Sequence, residues 1–515
     1  MKIKINGIKI QAQEGKTILE TAKEAGIDIP TLCHLNLHEI NLINNAAVCG
    51  VCKVEAGGAL VKACTTEVLP GMEICTNTEK TRSARKSAVE NILANHHSDC
   101  LTCERNLTCE LQRLASEMRI SKIPEGEGRE RKTTGNNPSI VYRSERCIEC
   151  KRCETVCGKL QTVNAPQIGT DCTFCAQCVA VCPTGALTEK SSISKVREAL
   201  NDPEKYVVVQ TAPSIRVSLG ELFGLPAGLR VTGKMVTALR RIGFDRILDT
   251  AFGADVTVTE EAAEFLHRLE SGGRLPIITS CCPAWVRFAE QEFPESLTLL
   301  SSCKSPHQIF GALAKSYLAE RLGIDPKKMV VVSVMPCLAK KYEAAKEELS
   351  HPQHGRDVDY VISTRELALM MKESCIDFEA LPNSKFDTIM GESTGAGVGF
   401  GTTGGVITAV MRTVYARLEG KPPSDIDFKE LRGPEGIREV KLQTGGREIA
   451  AAVAYGLGNA RRLLENIRDG KAEYHAVEIM ACPAGCVGGG GQPYYGSDFD
   501  VVKARSDALR RAAGV

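Results

Sequence analysis

Two cysteine runs lie close together in the chain. Cys147, Cys150, Cys153 and Cys157 are spaced C-x2-C-x2-C-x3-C, and Cys172, Cys175, Cys178 and Cys182 repeat the spacing with Pro183 following. At this rhythm three thiolates of each run bind one cubane while the fourth binds the other cluster, as in two-cluster bacterial ferredoxins. Paired zinc sites are the plainer alternative, but zinc motifs typically place two ligands per knuckle rather than four. Upstream, Cys33, Cys49, Cys52 and Cys64 give C-x15-C-x2-C-x11-C, which suits a 2Fe-2S site, with zinc again the alternative. Between these groups Cys100, Cys103 and Cys109 follow His96 and His97 closely, with no fourth cysteine nearby. A neutral imidazole can complete a cluster there, although a lone histidine is more often an ordinary surface or core residue.

Seven more cysteines lie further on: Cys281, Cys282, Cys303, Cys337, Cys375, Cys482 and Cys486. Cys282, Cys337 and Cys482 end or directly follow the apolar runs RLPIITSCCP, MVVVSVMPC and YHAVEIMACP, and Cys486 falls in the glycine-rich turn ACPAGCVGGGGQP. Side chains at the carboxyl ends of parallel strands converge on a crevice. These four thiols could therefore meet, and four thiolates are what a further cubane needs. Otherwise a buried cysteine behaves as a small hydrophobe, a reading that suits Cys75, Cys303 and Cys375 better.

The elements that must position these groups are legible in outline. The first ten residues alternate around Asn6-Gly7, a hairpin signal, and Thr17 to Ala25 carries Ile18, Leu19 and Ala22 at helical spacing, so a small sheet on a helix is expected. Residues 78 to 114 read as a short helical module, and the polar stretch 125–139 as a connector. From about residue 203, apolar runs such as YVVVQTAPS alternate with amphipathic stretches, which predicts an α/β domain with largely parallel buried strands. The fold class expected is thus multidomain, α+β followed by α/β.

Composition narrows the function. With 64 Lys and Arg against 63 Asp and Glu the net charge is +1, so no global field is available to hold nucleic acid or an anionic membrane. One Trp and 5% aromatic residues leave little for base stacking. No apolar window is long enough to span a bilayer, and MKIKINGIKI lacks the features of a secretory signal, so a cytoplasmic location is expected. Of the 23 cysteines, 16 lie within the first 182 residues, and in a reducing compartment such density reads as metal ligation. Gly399-Phe400-Gly401-Thr402-Thr403-Gly404 satisfies G-x-G-x-x-G, but no strand precedes it and no Walker lysine motif exists. With no nicotinamide or flavin site in view, electrons must arrive or leave through a partner.

The segments TSCCPAW (279–285), MPCLAKKYE (335–343) and EIMACPAGCVGGGGQP (478–493) closely resemble the three signature motifs of iron-iron (FeFe) hydrogenases, and the order of the N-terminal modules resembles the multi-cluster catalytic subunits of that family. The resemblance implies four regions. A β-grasp 2Fe-2S ferredoxin-like domain would cover 1–78, and a 4Fe-4S module with one histidine ligand, His96, and three cysteine ligands would cover 79–120. A domain with two 4Fe-4S clusters would follow over 138–195, and a two-lobed hydrogenase domain with parallel sheets over 203–515. The resemblance further implies an H-cluster, in which Cys282, Cys337, Cys482 and Cys486 hold a cubane and Cys486 bridges to a di-iron unit carrying CO, cyanide and a dithiolate amine. Lys340 would hydrogen-bond one cyanide, Ala212, Pro213 and Ser214 would contact the other end, and Met335 and Met480 would pack beside it. Cys281 corresponds to the family's proton donor, with a thiol pKa near roughly 8.5, and Glu261, Ser301 and Glu264 to its relay to solvent. The implied reaction interconverts two protons and two electrons with H2. Electrons would pass through the accessory clusters to ferredoxin or NAD(P)H-oxidising flavoprotein subunits, and maturation proteins would load the site.

The sequence departs from the family at three places. The chain ends at Val515, soon after GGGQP, where the family usually continues with a longer tail. Ala284 replaces a common glycine, and Cys303 and His307 differ from the usual residues near the relay. Two rival functions are a non-catalytic electron-wire subunit resembling the complex I large iron-sulfur subunit, and a hydrogenase-like sensor or iron-sulfur assembly protein. A wire has no use for Cys281 or Lys340. A sensor or assembly protein is expected to lose the donor cysteine or gain a signalling domain.

Overall fold

The computed structural model describes residues 1–37, 47–97, 99–126, 133–134, 137–157, 171–423, 436–496 and 498–514. Most of the expected connector at 125–139 falls outside them. The chain divides into two compact units, one made of Met1–Gly135, Val141–Val156 and Val181–Thr188, the other of Asn136–Ile140, Cys157–Ala180 and Glu189–Val515.

In the first unit the alternating N-terminal residues form β1 (Lys2–Ile5) and β2 (Ile8–Gln11), paired antiparallel. Asn6 and Gly7 supply the two left-handed turn residues at φ +50° and +81°. With β3 (Lys53–Ala56), β4 (Ala59–Lys62) and β5 (Glu73–Cys75) they make a five-stranded sheet in the order β2-β1-β5-β3-β4. Helix α1 (Ile18–Glu24) starts at a capping box between Thr17 and Glu20 and turns Ile18, Leu19 and Ala22 onto Ile3, Ile5 and Val54 of the sheet. Each buried Ile, Leu or Val among them contributes about 1.5–3 kcal/mol. Helices α2 (Glu79–Ala94) and α3 (Glu110–Glu117) pack Val89, Leu93, Leu111 and Leu114 against Leu32 and Val51, beside two cysteine groups.

The second unit holds two four-stranded sheets. In one, β6 (Tyr206–Thr211), β7 (Arg246–Asp249), β9 (Met329–Met335) and β10 (Tyr360–Ser363) run in the order β7-β6-β9-β10, all parallel. In the other, β8 (Ile277–Ile278), β11 (Ile437–Thr444), β12 (Arg447–Tyr455) and β13 (Ala476–Met480) run in the order β8-β13-β12-β11. This second sheet corrects the expectation of parallel sheets, because β11 pairs antiparallel with β12. Gly445 and Gly446, at φ +59° and +73°, make the tight two-residue turn that only an antiparallel pair can use.

The strands β6 and β9 are nearly continuous apolar runs, buried in a core with Met235, Leu239, Ile247 and Leu367. Helix α4 (Thr250–Ser271) carries Glu261 and Glu264, and α5 (Pro283–Glu292) begins directly after Cys282. Helices α6 (Pro306–Leu313), α7 (Ala339–Glu343) and α8 (Gly405–Glu419) supply further walls. Beyond the glycine run, α9 (Asp500–Ala512) folds back onto the unit. Its fully buried Arg505 donates to Glu221 at 2.7 and 2.6 Å and to the carbonyls of Val487 (3.3 Å) and Pro493 (3.1 Å). Among the described residues no helix is long and apolar enough to cross a membrane.

Candidate active site and cluster-binding groups

Four strand ends of the second unit meet at one cavity of about 90 Å³. The end of β6 contributes Ala212, Pro213 and Ser214, and the end of β9 contributes Met335 and Cys337. From β8 come Cys281 and Cys282, and from β13 come Met480, Cys482 and Cys486, with Lys340 completing the wall. The crevice inferred from the Cys-Pro strand ends therefore exists, with contributions from both sheets. Thr250, Ala254, Phe400, Gly401 and His307 also line it and were not expected there. Gly401 belongs to the glycine pattern that failed as a dinucleotide motif. A Cβ on it would fall 2.4 Å from Leu509 and 3.4 Å from Ser214 Cβ, so close packing explains its presence.

The donor set suits a cubane. Burial raises the pKa of Cys282, Cys337 (to about 12), Cys482 and Cys486, and apart from Cys282 the neighbouring thiolates raise it further. Four thiols that cannot ionise together in a low dielectric are what cationic iron stabilises. Cys282 is the N-cap of α5, where the N–H groups of Ala284 and Trp285, with Ala481 N at 3.5 Å, favour its thiolate. Ala284 thus sits at the first turn behind a ligand, and its methyl group is buried. Ser214 Oγ, fully buried on the cavity wall, has no hydrogen-bond partner among the described residues, a donor left over for a bound group.

Lys340 is held by protein acceptors. Its Nζ donates to Cys281 O at 3.0 Å and to Glu343 Oε2 at 2.8 Å. Burial opposes the Lys340 charge, but the Glu343 carboxylate outweighs it and the pKa rises. Burial likewise opposes the Glu343 charge, but Lys340 and His307 outweigh it and bring the pKa down to about 2. Ser305 Oγ also donates to Glu343 at 3.0 Å. His307 hydrogen-bonds Glu343 through Nε2 and Ser333 Oγ through Nδ1 at 3.2 Å. Burial and the Lys340 charge lower its pKa, so the ring stays neutral, with Nε2–H donating to the carboxylate.

The expected proton path is partly connected. Burial pushes the Cys281 thiol well above its usual pKa, the Glu261 charge adds to this, and Lys340 opposes it. Burial therefore favours the protonated thiol and holds its pKa above the intrinsic value near roughly 8.5. Glu261, on the buried face of α4, is raised by burial to about 7, while a hydrogen bond with Ser301 pulls the other way. Ser301 Oγ donates to Glu264 Oε2 at 3.2 Å, and Ser302, through its N–H (3.0 Å) and hydroxyl (3.1 Å), reaches the same oxygen from an exposed position. Arg268 fixes Glu264 from the next turn at 2.5 Å. The Cys303 thiol lies 4.0 Å from Glu264 Oε2, and its N–H donates to Ser301 Oγ at 3.2 Å.

The N-terminal cysteines form separate groups. Cys52 and Cys64 sulfurs lie 3.4 Å apart, and Cys33 hydrogen-bonds both Cys49 and Cys64, so the four meet. Cys100, Cys103 and Cys109 share one loop, and His96 follows the C-terminus of α2. In the two four-cysteine runs the last member changes sides. Cys147, Cys150 and Cys153 are grouped with Cys182 in the first unit, and Cys172, Cys175 and Cys178 with Cys157 in the second. Cys182 acts electrostatically on Cys150 and Cys153, and Cys157 on Cys172 and Cys175. The glycine run joins the latter group to the cavity. A Cβ at Gly490 would fall 2.4 Å from Cys175 O, and one at Gly489 2.3 Å from Pro336 O.

The chain matches the family described as iron only hydrogenase large subunit, C-terminal domain, over residues 205–490. Residues 1–79 match a 2Fe-2S iron-sulfur cluster binding domain, 85–124 the NADH-ubiquinone oxidoreductase-G iron-sulfur binding region, and 168–188 a 4Fe-4S binding domain. The chain is 47% identical to the NADP-reducing hydrogenase subunit HndD of Solidesulfovibrio fructosivorans, over 99% of this chain and 91% of that protein. It is 40% identical to iron hydrogenase 1 of Clostridium pasteurianum, over 98% and 92%. Among solved structures it resembles the FeFe hydrogenase HydA1 of Chlamydomonas reinhardtii, with a TM-score of 0.55 and 40% identity over 61% of this chain and 88% of that one. The chain belongs to the iron-only (FeFe) hydrogenase family. Within it, this is a multi-cluster catalytic subunit, an oxidoreductase acting on H2 in which ferredoxin-like iron-sulfur domains precede the H-cluster domain.

Proposed function

We propose that the cavity residues divide the hydrogenase reaction among themselves as the sequence suggests. Bound there, the H-cluster supplies the iron at which H2 interconverts with two protons and two electrons. Cys282, Cys337, Cys482 and Cys486 would hold its cubane, with Cys486 also serving the di-iron unit. Lys340, locked by Glu343, and Ser214, with its spare hydroxyl, would bind its anionic ligands. Met335 and Met480 fill the remaining space with polarizable thioethers. Cys281 would hold the proton beside the bound group, and Glu261, Ser301 and Glu264 would pass it to the surface. The observation that carries this reading is the single cavity lined by four clustering thiols, a fifth thiol and a buried lysine.

For the electrons, we infer one 2Fe-2S cluster on Cys33, Cys49, Cys52 and Cys64 in a β-grasp domain over 1–78, and a 4Fe-4S cluster on His96, Cys100, Cys103 and Cys109 in the module over 79–120. Two more 4Fe-4S clusters lie in the domain over 138–195, and the hydrogenase domain follows over 203–515. The likeness to a subunit named NADP-reducing favours an NADP-linked partner, and the sequence resemblance adds NAD(P)H-oxidising flavoprotein subunits, with or without ferredoxin, and a cytoplasmic setting. Infrared spectroscopy of anaerobically matured protein tests the site. Bands of iron-bound CO and cyanide support it, and their absence with the accessory clusters intact favours a wire or scaffold. Purified protein is expected not to reduce NAD(P) with H2 until a flavoprotein partner is added, and rapid reduction by the chain alone would contradict the partner assignment.

A further inference from the structure

Arg152 is fully buried in the first unit, between Cys150 and Cys153 in sequence, at the start of a four-residue helix that follows Lys151 at φ +62°. Its Nη1 donates to Glu110 Oε1 at 2.8 Å and approaches Val181 O at 3.5 Å. Nε and Nη2 find no acceptor among the described residues. Glu110 directly follows Cys109 and Val181 directly precedes Cys182, so this one guanidinium reaches the neighbours of two thiol groups. Its charge also favours the thiolate of Cys150. A buried guanidinium with two nitrogens lacking acceptors is unfavourable unless an acceptor is supplied. The acceptors that belong beside Cys150, Cys153 and Cys182 are the sulfurs of a cluster.

Resting on the cluster assignment above, we propose that Arg152 is a positioning charge that raises the reduction potential of the four-iron cluster on Cys147, Cys150, Cys153 and Cys182. Each H2 oxidised releases two protons and two electrons. When one of those electrons enters this cluster no bond forms or breaks, and the cluster becomes one unit more negative. A buried cation beside the cluster stabilises the reduced form more than the oxidised one. Glu110 offsets part of that charge. The plainer view is that Arg152 and Glu110 merely pin α3 to the cluster loop.

The two views separate by sign. In full-length protein with all clusters loaded, a redox titration followed by electron paramagnetic resonance reads this cluster's midpoint potential, its signal being the one lost in Cys150→Ser. Arg152→Gln is expected to shift the potential negative, Glu110→Gln to shift it positive, and Arg152→Lys to return it toward wild type. A mere pin predicts no such opposition, so shifts in the same direction, or none, overturn the proposal. Should Arg152→Gln fail to assemble the cluster, Arg152→Met, similar in length and uncharged, takes its place: a negative shift supports the proposal and anything else refutes it. If wild-type protein shows no four-iron signal that Cys150→Ser removes, the cluster assignment itself falls, and the proposal with it.

Discussion

The cysteine groups of the first unit and the cavity of the second are built in opposite ways. Cys147, Cys150, Cys153 and Cys182, or Cys100, Cys103 and Cys109, lie mostly within one loop and need little more than a turn to face one another. Cys282, Cys337, Cys482 and Cys486 come from three strand ends spread over about 200 residues, and reach one cavity because two sheets deliver their carboxyl ends to it. An electron carrier needs only a donor set near the next carrier. A reacting site must also exclude water, hold a proton at one atom and balance buried charge, and those tasks need walls that only a core can fix.

The sharpest way to break this contrast is to remove one thiol from each region. Cys486→Ser is expected to abolish both H2 evolution and exchange of H2 with solvent deuterium. Cys150→Ser should spare the exchange and lose partner-linked turnover. Equal losses in both assays for both variants would erase the distinction. Next in size, Cys281→Ala should lose turnover by about 10²–10⁴-fold, as removal of a positioned acid does, with the infrared bands of CO and cyanide intact. Wild-type rates in that variant would refute its role.

Smaller effects sharpen the comparison through stability. Glu343→Gln leaves the Lys340 ammonium buried without its carboxylate, and breaking such a pair costs about 3–5 kcal/mol, readable by thermal or chemical unfolding of the cofactor-free chain. Glu261 and Glu478 are both raised by burial to about 7. Their raised values mean that the native state gains most below the ordinary carboxylate range, and that this gain is lost as pH rises through about 7. Unfolding measured from about pH 5 to 8 should show the decline, and Glu261→Gln should flatten it. If Glu261 relays protons inward, H2 evolution declines over the same interval, and Glu478→Gln should leave that inflection in place. The smallest effect belongs to the hairpin at the edge of the second sheet. Gly446→Ala, at φ +73°, should cost about 1 kcal/mol without changing turnover.

What could be read in the sequence follows from how local each signal is. The Asn6-Gly7 hairpin, the capped helix after Thr17 and the eight-cysteine rhythm are local, and each describes its own surroundings. The meeting of Cys282, Cys337 and Cys482 was readable only through a rule about strand ends, and the roles of Cys281 and Lys340 only through resemblance to a family. Glu343 gave no signal beyond lying within MPCLAKKYE, because its place depends on His307 and Ser305 from another helix and its cap. The antiparallel strand β11 was missed although Gly445-Gly446 marks its turn, since neighbouring parallel runs set the expectation. Cys303, which reads in the sequence as a buried small hydrophobe, is only partly buried, with its thiol 4.0 Å from Glu264 Oε2.

The glycine run after Cys486 has a consequence for rates. At Gly490 the chain lies against the Cys175 carbonyl, and at Gly489 against that of Pro336, next to Cys337. With a cluster on Cys175 and another on Cys337, this contact of main chain on main chain would lie beside the last electron step. The speed of that step is then governed by the driving force between the two clusters and by how tightly the backbones hold their spacing, so even a single methyl group at Gly490 would act by prying the donor and acceptor apart.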